Sequence, residues 1–244
     1  MRVPEECGLA ERAYITMRDR ILRGEFALGQ VISRRKVAAE LGVSFLPASE
    51  ALLRLECDGL LETRARAGTR VRIPSRQDVV GHFVVREALE VQAAMMFAAR
   101  STAAEKTELR KMAEHLDAGG RGDGGPLVWR RLHEELHLQI AACARCGPLS
   151  EALGRSSALA SAWAGAMQAS APAHPTGYHS ELIKVLAGKR PPVAGEAMRT
   201  HIRVNMDQAM LSLEPWLQRQ KHYKHTFSRT LRKGTELAGI LATM

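Results

Sequence analysis

Cysteine is scarce. Cys7, Cys57, Cys143 and Cys146 are too few and too scattered to staple a chain of 244 residues, so reduced thiols and a cytoplasmic protein are expected. The Cys143-x-x-Cys146 pair has no second CxxC and no preceding strand, which leaves only a weak signal for metal or redox chemistry. Long hydrophobic runs are also missing: none approaches the ~20 residues that span a bilayer. Met1–Gly8 has no signal core, so no membrane partner is expected. Internal repeats are absent, and strand-like runs all but vanish after residue 75.

What is present is ordinary globular composition with a basic bias. Hydrophobic residues make up 45% and charged residues 25%, enough for a core in each of two modest domains. The net charge of +9 is unevenly spread: residues 1–74 hold 13 Lys/Arg against 10 Asp/Glu, and residues 214–244 hold 6 against 2. A mildly basic head and a basic end segment suit a polyanionic partner.

The head reads as three short helices and a hairpin. Tyr14, Met17, Ile21 and Leu22 recur at helical spacing, with Gly24 as terminator. Ser33 is a natural N-cap for a second helix that ends at Gly42. Ser44 can cap a third, with Pro47 tolerated in its first turn and Ala48, Ala51, Leu52 and Leu55 as its apolar stripe. Strand-like pieces follow at Leu60–Thr63 and Thr69–Ile73. Helix, short turn, helix and basic hairpin is the order of a winged helix-turn-helix, expected over 8–74. From 76 to 213 the pattern is helical, near 76–99, 102–118, 127–145, 148–168, 177–188 and 193–213. The fold expected is mainly α: a winged helix-turn-helix followed by an all-α bundle, with 214–244 as a basic tail that is either frayed helix or coil.

The segment ILRGEFALGQVISRRKVAAELGVSFLPASEALLRLECDGLLETRARAGTRVRI resembles the DNA-binding domain of GntR-family regulators. It keeps the family's I-L-x-G-x-x-x-x-G element, then L-G-V-S-x-x-P-x-x-E-A-L-x-x-L and a basic wing. The resemblance implies a double-stranded DNA operator and a homodimer. Arg34, Arg35 and Lys36 open the second helix, where they would meet phosphate, and Arg64, Arg66, Arg70 and Arg72 run along the wing. Ser44, Phe45, Ser49 and Arg54 fall on the recognition helix. The family usually has Arg where this chain has Phe45 and Ser49, so a different operator preference is expected.

The second half resembles the FCD ligand-sensing domain of the FadR-type branch. REALEVQAAMMFAA (Arg86–Ala99) matches its first helix, and LHLQIAACARCGPL places His137 at the family's metal histidine. His179 and His201 fit the two later ones. His133 stands where the family has Asp, four residues before His137 and hence on the same helix face. Four imidazoles favour a divalent late transition metal, Zn²⁺ or Ni²⁺ above all. Losing the Asp removes a negative charge and should favour an anionic effector. Arg86 is a candidate anchor for an effector carboxylate, the alternative being a salt bridge with Glu90 at i+4. The function implied is a ligand-responsive regulator, a repressor released by a small organic acid.

Two other readings compete. His133-Glu134-Glu135-Leu136-His137 is a literal H-E-x-x-H, the helix of zinc peptidases. The extended motif fails, because Ile140 and Cys143 occupy its Gly and final His positions. Phe45 and Ser49 also admit an interaction protein that has lost operator reading.

Overall fold

The computed structural model describes residues 8–65, 67–119, 125–166 and 174–241. The head comprises α1 (Leu9–Leu22), β1 (Val31–Ile32), α2 (Arg34–Leu41), α3 (Phe45–Cys57), β2 (Leu61–Arg64) and β3 (Gly68–Val71). Local chemistry sets α2. The Ser33 hydroxyl accepts from the Lys36 amide, and Gly42 leaves the helix at φ 64°, where a side chain would be strained. At α3 the Ser44 side chain makes no capping bond, unlike the expectation. The apolar stripe Ala48, Ala51, Leu52 and Leu55 is fully buried against Met17 and Ile21 of α1.

The three strands form an antiparallel sheet in the order β1-β3-β2. The hairpin lies within one or two residues of expectation, with Leu61 opposite Val71 and Arg64 opposite Gly68. β1 was not expected. Two residues carry no period, and Val31 and Ile32 become a strand only by pairing with Arg70 and Thr69.

The second half holds α4 (Arg76–Arg100), α5 (Ala103–Gly119), α6 (Gly125–Cys143), α7 (Gly147–Ala166), α8 (Tyr178–Leu186) and α9 (Pro191–Leu241). A reciprocal capping box starts α4: the Ser75 hydroxyl accepts from the Asp78 amide, and the Asp78 carboxylate accepts from the Ser75 amide. Phe97, Leu109, Leu116, Leu136, Ile140 and Leu153 fill the bundle core. The last helix does not stop at 213 but continues to Leu241. From Trp216 to Leu241 there is no proline, and Lys, Arg and Gln are good helix formers.

Leu159 of α7 packs against both cores and so joins head to bundle. Arg72 adds an ion pair to Asp78 at 2.7 Å. Between the two units lies an open cavity of about 1090 Å³, walled by α1, α4, α6 and α7. No helix among the described residues is long and apolar enough to cross a membrane.

Candidate metal centre and DNA-reading surface

Three helices bring four histidines together inside the bundle. His133 and His137 lie one turn apart on α6, His179 opens α8, and His201 sits on α9. His137, His179 and His201 are buried, while His133 is partly exposed with its ring against the other three. The His137 Nε2 atom is 3.3 Å from His133 Nε2 and 3.1 Å from His201 Nε2. Zn–N bonds of 2.0–2.1 Å in a tetrahedron set ligand atoms roughly 3.3 Å apart, so these spacings fit one ion. His133, His137 and His201 form the tight trio that could hold a metal. His179 stands at its edge, 5.2 Å ring to ring from His133. Its Nε2 is buried with no hydrogen-bond partner among the described residues, which leaves it available as a fourth ligand atom.

Carboxylates behind two of the rings, those of His179 and His137, orient them. Asp117 on α5 accepts from His179 Nδ1 at 2.7 Å and from the His179 amide at 3.0 Å, which turns Nε2 inward. Its other oxygen accepts from the Ser180 amide and hydroxyl at 2.9 and 2.7 Å. One carboxylate thus caps α8, whose N-cap residue Gly177 offers no side chain. Glu90 on α4 meets His137 Nδ1 with one oxygen. Its other oxygen accepts from Arg86, at 2.7 Å from Nε and 2.6 Å from Nη2. Asn205 donates to His201 Nε2 at 2.9 Å. Trp129 stacks on His133 and Tyr178 on His201.

Burial disfavours the charged form of His133, His179 and His201. Burial first, then the neighbouring histidines, pushes His133 and His201 well below the usual histidine range. Burial lowers His179 to about 4 against the pull of Asp117. Burial alone would raise Glu90, but Arg86 and His137 outweigh it and hold the carboxyl down to about 2. Neutral imidazoles are the form that binds metal.

Several site residues gain a different context from the one the sequence suggested. Arg86 is buried and has two of its nitrogens on Glu90, the salt bridge named above as the alternative. Asp117 and Glu90 stand behind the rings of His179 and His137. Glu134, the base of an H-E-x-x-H enzyme, lines the cavity between head and bundle. Asp117 went unrecognised because its partners lie 62 and 63 residues away; the only hint was a helix start at Gly177 with no capping side chain.

On the head, Arg34 and Arg35 form no ion pair among the described residues, and Lys36 reaches Glu40 only at 3.8 Å. Arg54 turns back to Glu11 and lies 4.1 Å over the Tyr14 ring. Arg64 and Arg70 share Glu62, at 3.0 and 2.7 Å. Arg66 lies outside the described residues. Ser44 and Phe45 are exposed at the start of α3, whereas the Ser49 hydroxyl is buried without a partner.

Residues 9–71 match the family described as bacterial regulatory proteins, gntR family, and residues 82–204 match the FCD domain. The chain is 40% identical over 79 residues to a Paenarthrobacter nicotinovorans protein named "Probable D-xylose utilization operon transcriptional repressor", covering 32% of this chain and 34% of that one. It is 31% identical over 115 residues to the Nta operon transcriptional regulator of Aminobacter aminovorans, 47% of this chain and 54% of the relative. The chain therefore matches about a third and about half of the length of these two relatives. The solved structure of E. coli McbR/YncC has the same fold, with a TM-score of 0.70 at 18% identity over 84% of this chain and 98% of that one. A DNA-binding head of one matched type, followed by an FCD domain spanning half the sequence, makes this chain a member of the GntR family of bacterial regulatory proteins, in its FCD-containing branch.

Proposed function

We propose that the chain is a metal-dependent transcription repressor that leaves its operator when a small organic acid binds the bundle. The observation that carries this reading is the buried histidine cluster, whose nitrogens sit 3.1 and 3.3 Å apart with an unpartnered His179 Nε2 beside them. Neutral nitrogen donors favour Zn²⁺ or Ni²⁺ over oxygen-loving cations. Such an ion, when bound, supplies a Lewis-acid position that accepts a carboxylate oxygen. The residues supply the rest: Asp117 and Glu90 orient His179 and His137, and Trp129 and Tyr178 wall the site with rings. Arg86 acts through Glu90, and any direct contact with an effector is left to its remaining nitrogen. Asn205 shares the His201 Nε2 lone pair, so metal and amide compete for it.

In the head, Arg34, Arg35 and Lys36 hold phosphate while α3 enters the major groove. Two chains pair on a palindromic site, as symmetric half-sites require. The test is metal analysis of protein purified without a histidine tag, beside a mobility shift on its own upstream DNA. About one Zn²⁺ or Ni²⁺ per chain is expected, lost in His201→Ala. Metal-free protein that cannot be reloaded overturns the sensor half of the reading.

A further inference from the structure

The exposed face of α3 carries an unusual set of side chains for a helix that reads bases. Phe45 and Leu53 lie about two turns apart on this face, with Leu46 and Glu50 beside them, while the Ser49 hydroxyl between them is buried. Phe45 is 53% exposed, Leu46 65% and Leu53 55%, although the opposite face of the same helix is fully buried. The helix has one cation, Arg54, and it is held by Glu11 and Tyr14 of α1. No free Lys or Arg on α3 can make the bidentate contact that reads guanine. Electrostatic attraction to DNA comes instead from the neighbouring helix, where Arg34 and Arg35 have no ion pair among the described residues and Lys36 is exposed. A cationic rim beside an apolar helix start is complementary to a groove with phosphate walls and an apolar feature on its floor. In the major groove that feature is the thymine C5 methyl.

We propose that Phe45 determines operator specificity by packing on a thymine methyl in each half-site. The inference rests on the head binding DNA, and the test keeps the two apart. Sites are first selected from a random duplex pool with the full-length, zinc-loaded protein. A thymine at a fixed place in each half-site is expected. Each thymine of the selected duplex is then replaced by deoxyuridine, which pairs identically but lacks the methyl. Losing one methyl contact should weaken binding roughly fourfold per half-site, at the usual free energy of burying one such group. In Phe45→Ala the thymine and uracil duplexes should bind alike, and Phe45→Arg should shift the selected base towards guanine. Equal binding of thymine and uracil duplexes by the unmodified protein overturns the inference, as does a preference that survives in Phe45→Ala. Failure to enrich any sequence overturns the DNA-binding reading itself, a distinct result.

Discussion

Asp117 would join the stability of the bundle to the proposed metal site, and replacing it with alanine separates the two. The carboxylate side chain is 11% exposed and accepts four hydrogen bonds from the first turn of α8. Alanine strands two backbone amides, the Ser180 hydroxyl and His179 Nδ1. Loss of a helix cap costs about 1–2 kcal/mol. Loss of the charge-assisted bonds adds about 1.5–3 kcal/mol, since one carboxylate makes them all and they do not add independently. A total near 3–4 kcal/mol lowers Tm by roughly 6–16 °C for a protein of this size. His179, no longer held in one tautomer, should bind metal about 10–100-fold more weakly. Thermal unfolding is measured with and without chelator, and zinc affinity by competition with a chromophoric ligand. The Tm loss should persist in metal-free protein, because the cap is independent of the ion. Asp117→Asn, which retains one acceptor oxygen, should fall between. An Asp117→Ala protein within about 2 °C of the parent in both forms, with unchanged zinc affinity, refutes the argument.

Arg35→Ala should weaken operator binding without changing Tm, and should reduce the slope of log affinity against log salt by about 1, as loss of one phosphate contact does; a mobility-shift series in salt reads both. His82 gives a pH dependence. Burial first, then Arg86, lowers it to about 4, so the fold favours neutral imidazole and the unfolded chain binds the extra proton below about 6.5. Stability attributable to this group is present at pH 7 and is lost as pH falls through the window from about 6.5 to 4, by about 2 kcal/mol between pH 7 and 5. Urea unfolding of the parent and His82→Phe should show that difference, the metal histidines being common to both; parallel pH profiles count against it. His133→Asp should retain one metal per chain while tolerating Mn²⁺ better relative to Zn²⁺, because an oxygen donor replaces a nitrogen. Loss of zinc from that variant would mean that the imidazole at 133 is indispensable.

Legibility in the sequence followed the range of the interaction. Ser33, Gly42 and Pro47 act on their own turn, so α2 and α3 could be read directly. Five of the six bundle helices fall within a few residues of expectation, since an apolar stripe and a Gly- or Pro-bearing break are local signals. β1 was not legible because Val31 and Ile32 owe their state to Thr69 and Arg70 across the sheet. Helix α9 outran its expected end because its apolar period fades after Leu213 while its helix propensity does not. Of the site, His133 and His137 share a helix face by their i, i+4 spacing, whereas His179 and His201 were visible through the resemblance to the FCD domain. Of the carboxylates behind them, Glu90 showed as an i+4 partner of Arg86 within the segment that resembles the first FCD helix, and Asp117 carried no pattern at all.

The replacement at position 133 takes its meaning from those two carboxylates. Read alone, an imidazole where the resemblance implies an Asp would leave a bound divalent ion with its full charge. The structure puts Glu90 against His137 Nδ1 and Asp117 against His179 Nδ1. Both are held ionised, by Arg86 and His137 in one case and by the bonds from Ser180 and His179 in the other, each against the opposing effect of burial. Two negative charges thus sit one imidazole away from the Nε2 atoms of His137 and His179. A carboxylate at that distance polarises its ring and strengthens the nitrogen donor without occupying a coordination position. With Arg86 counted, the region around a bound divalent ion keeps a modest positive field. Under the proposed function, such a field would favour an anionic effector.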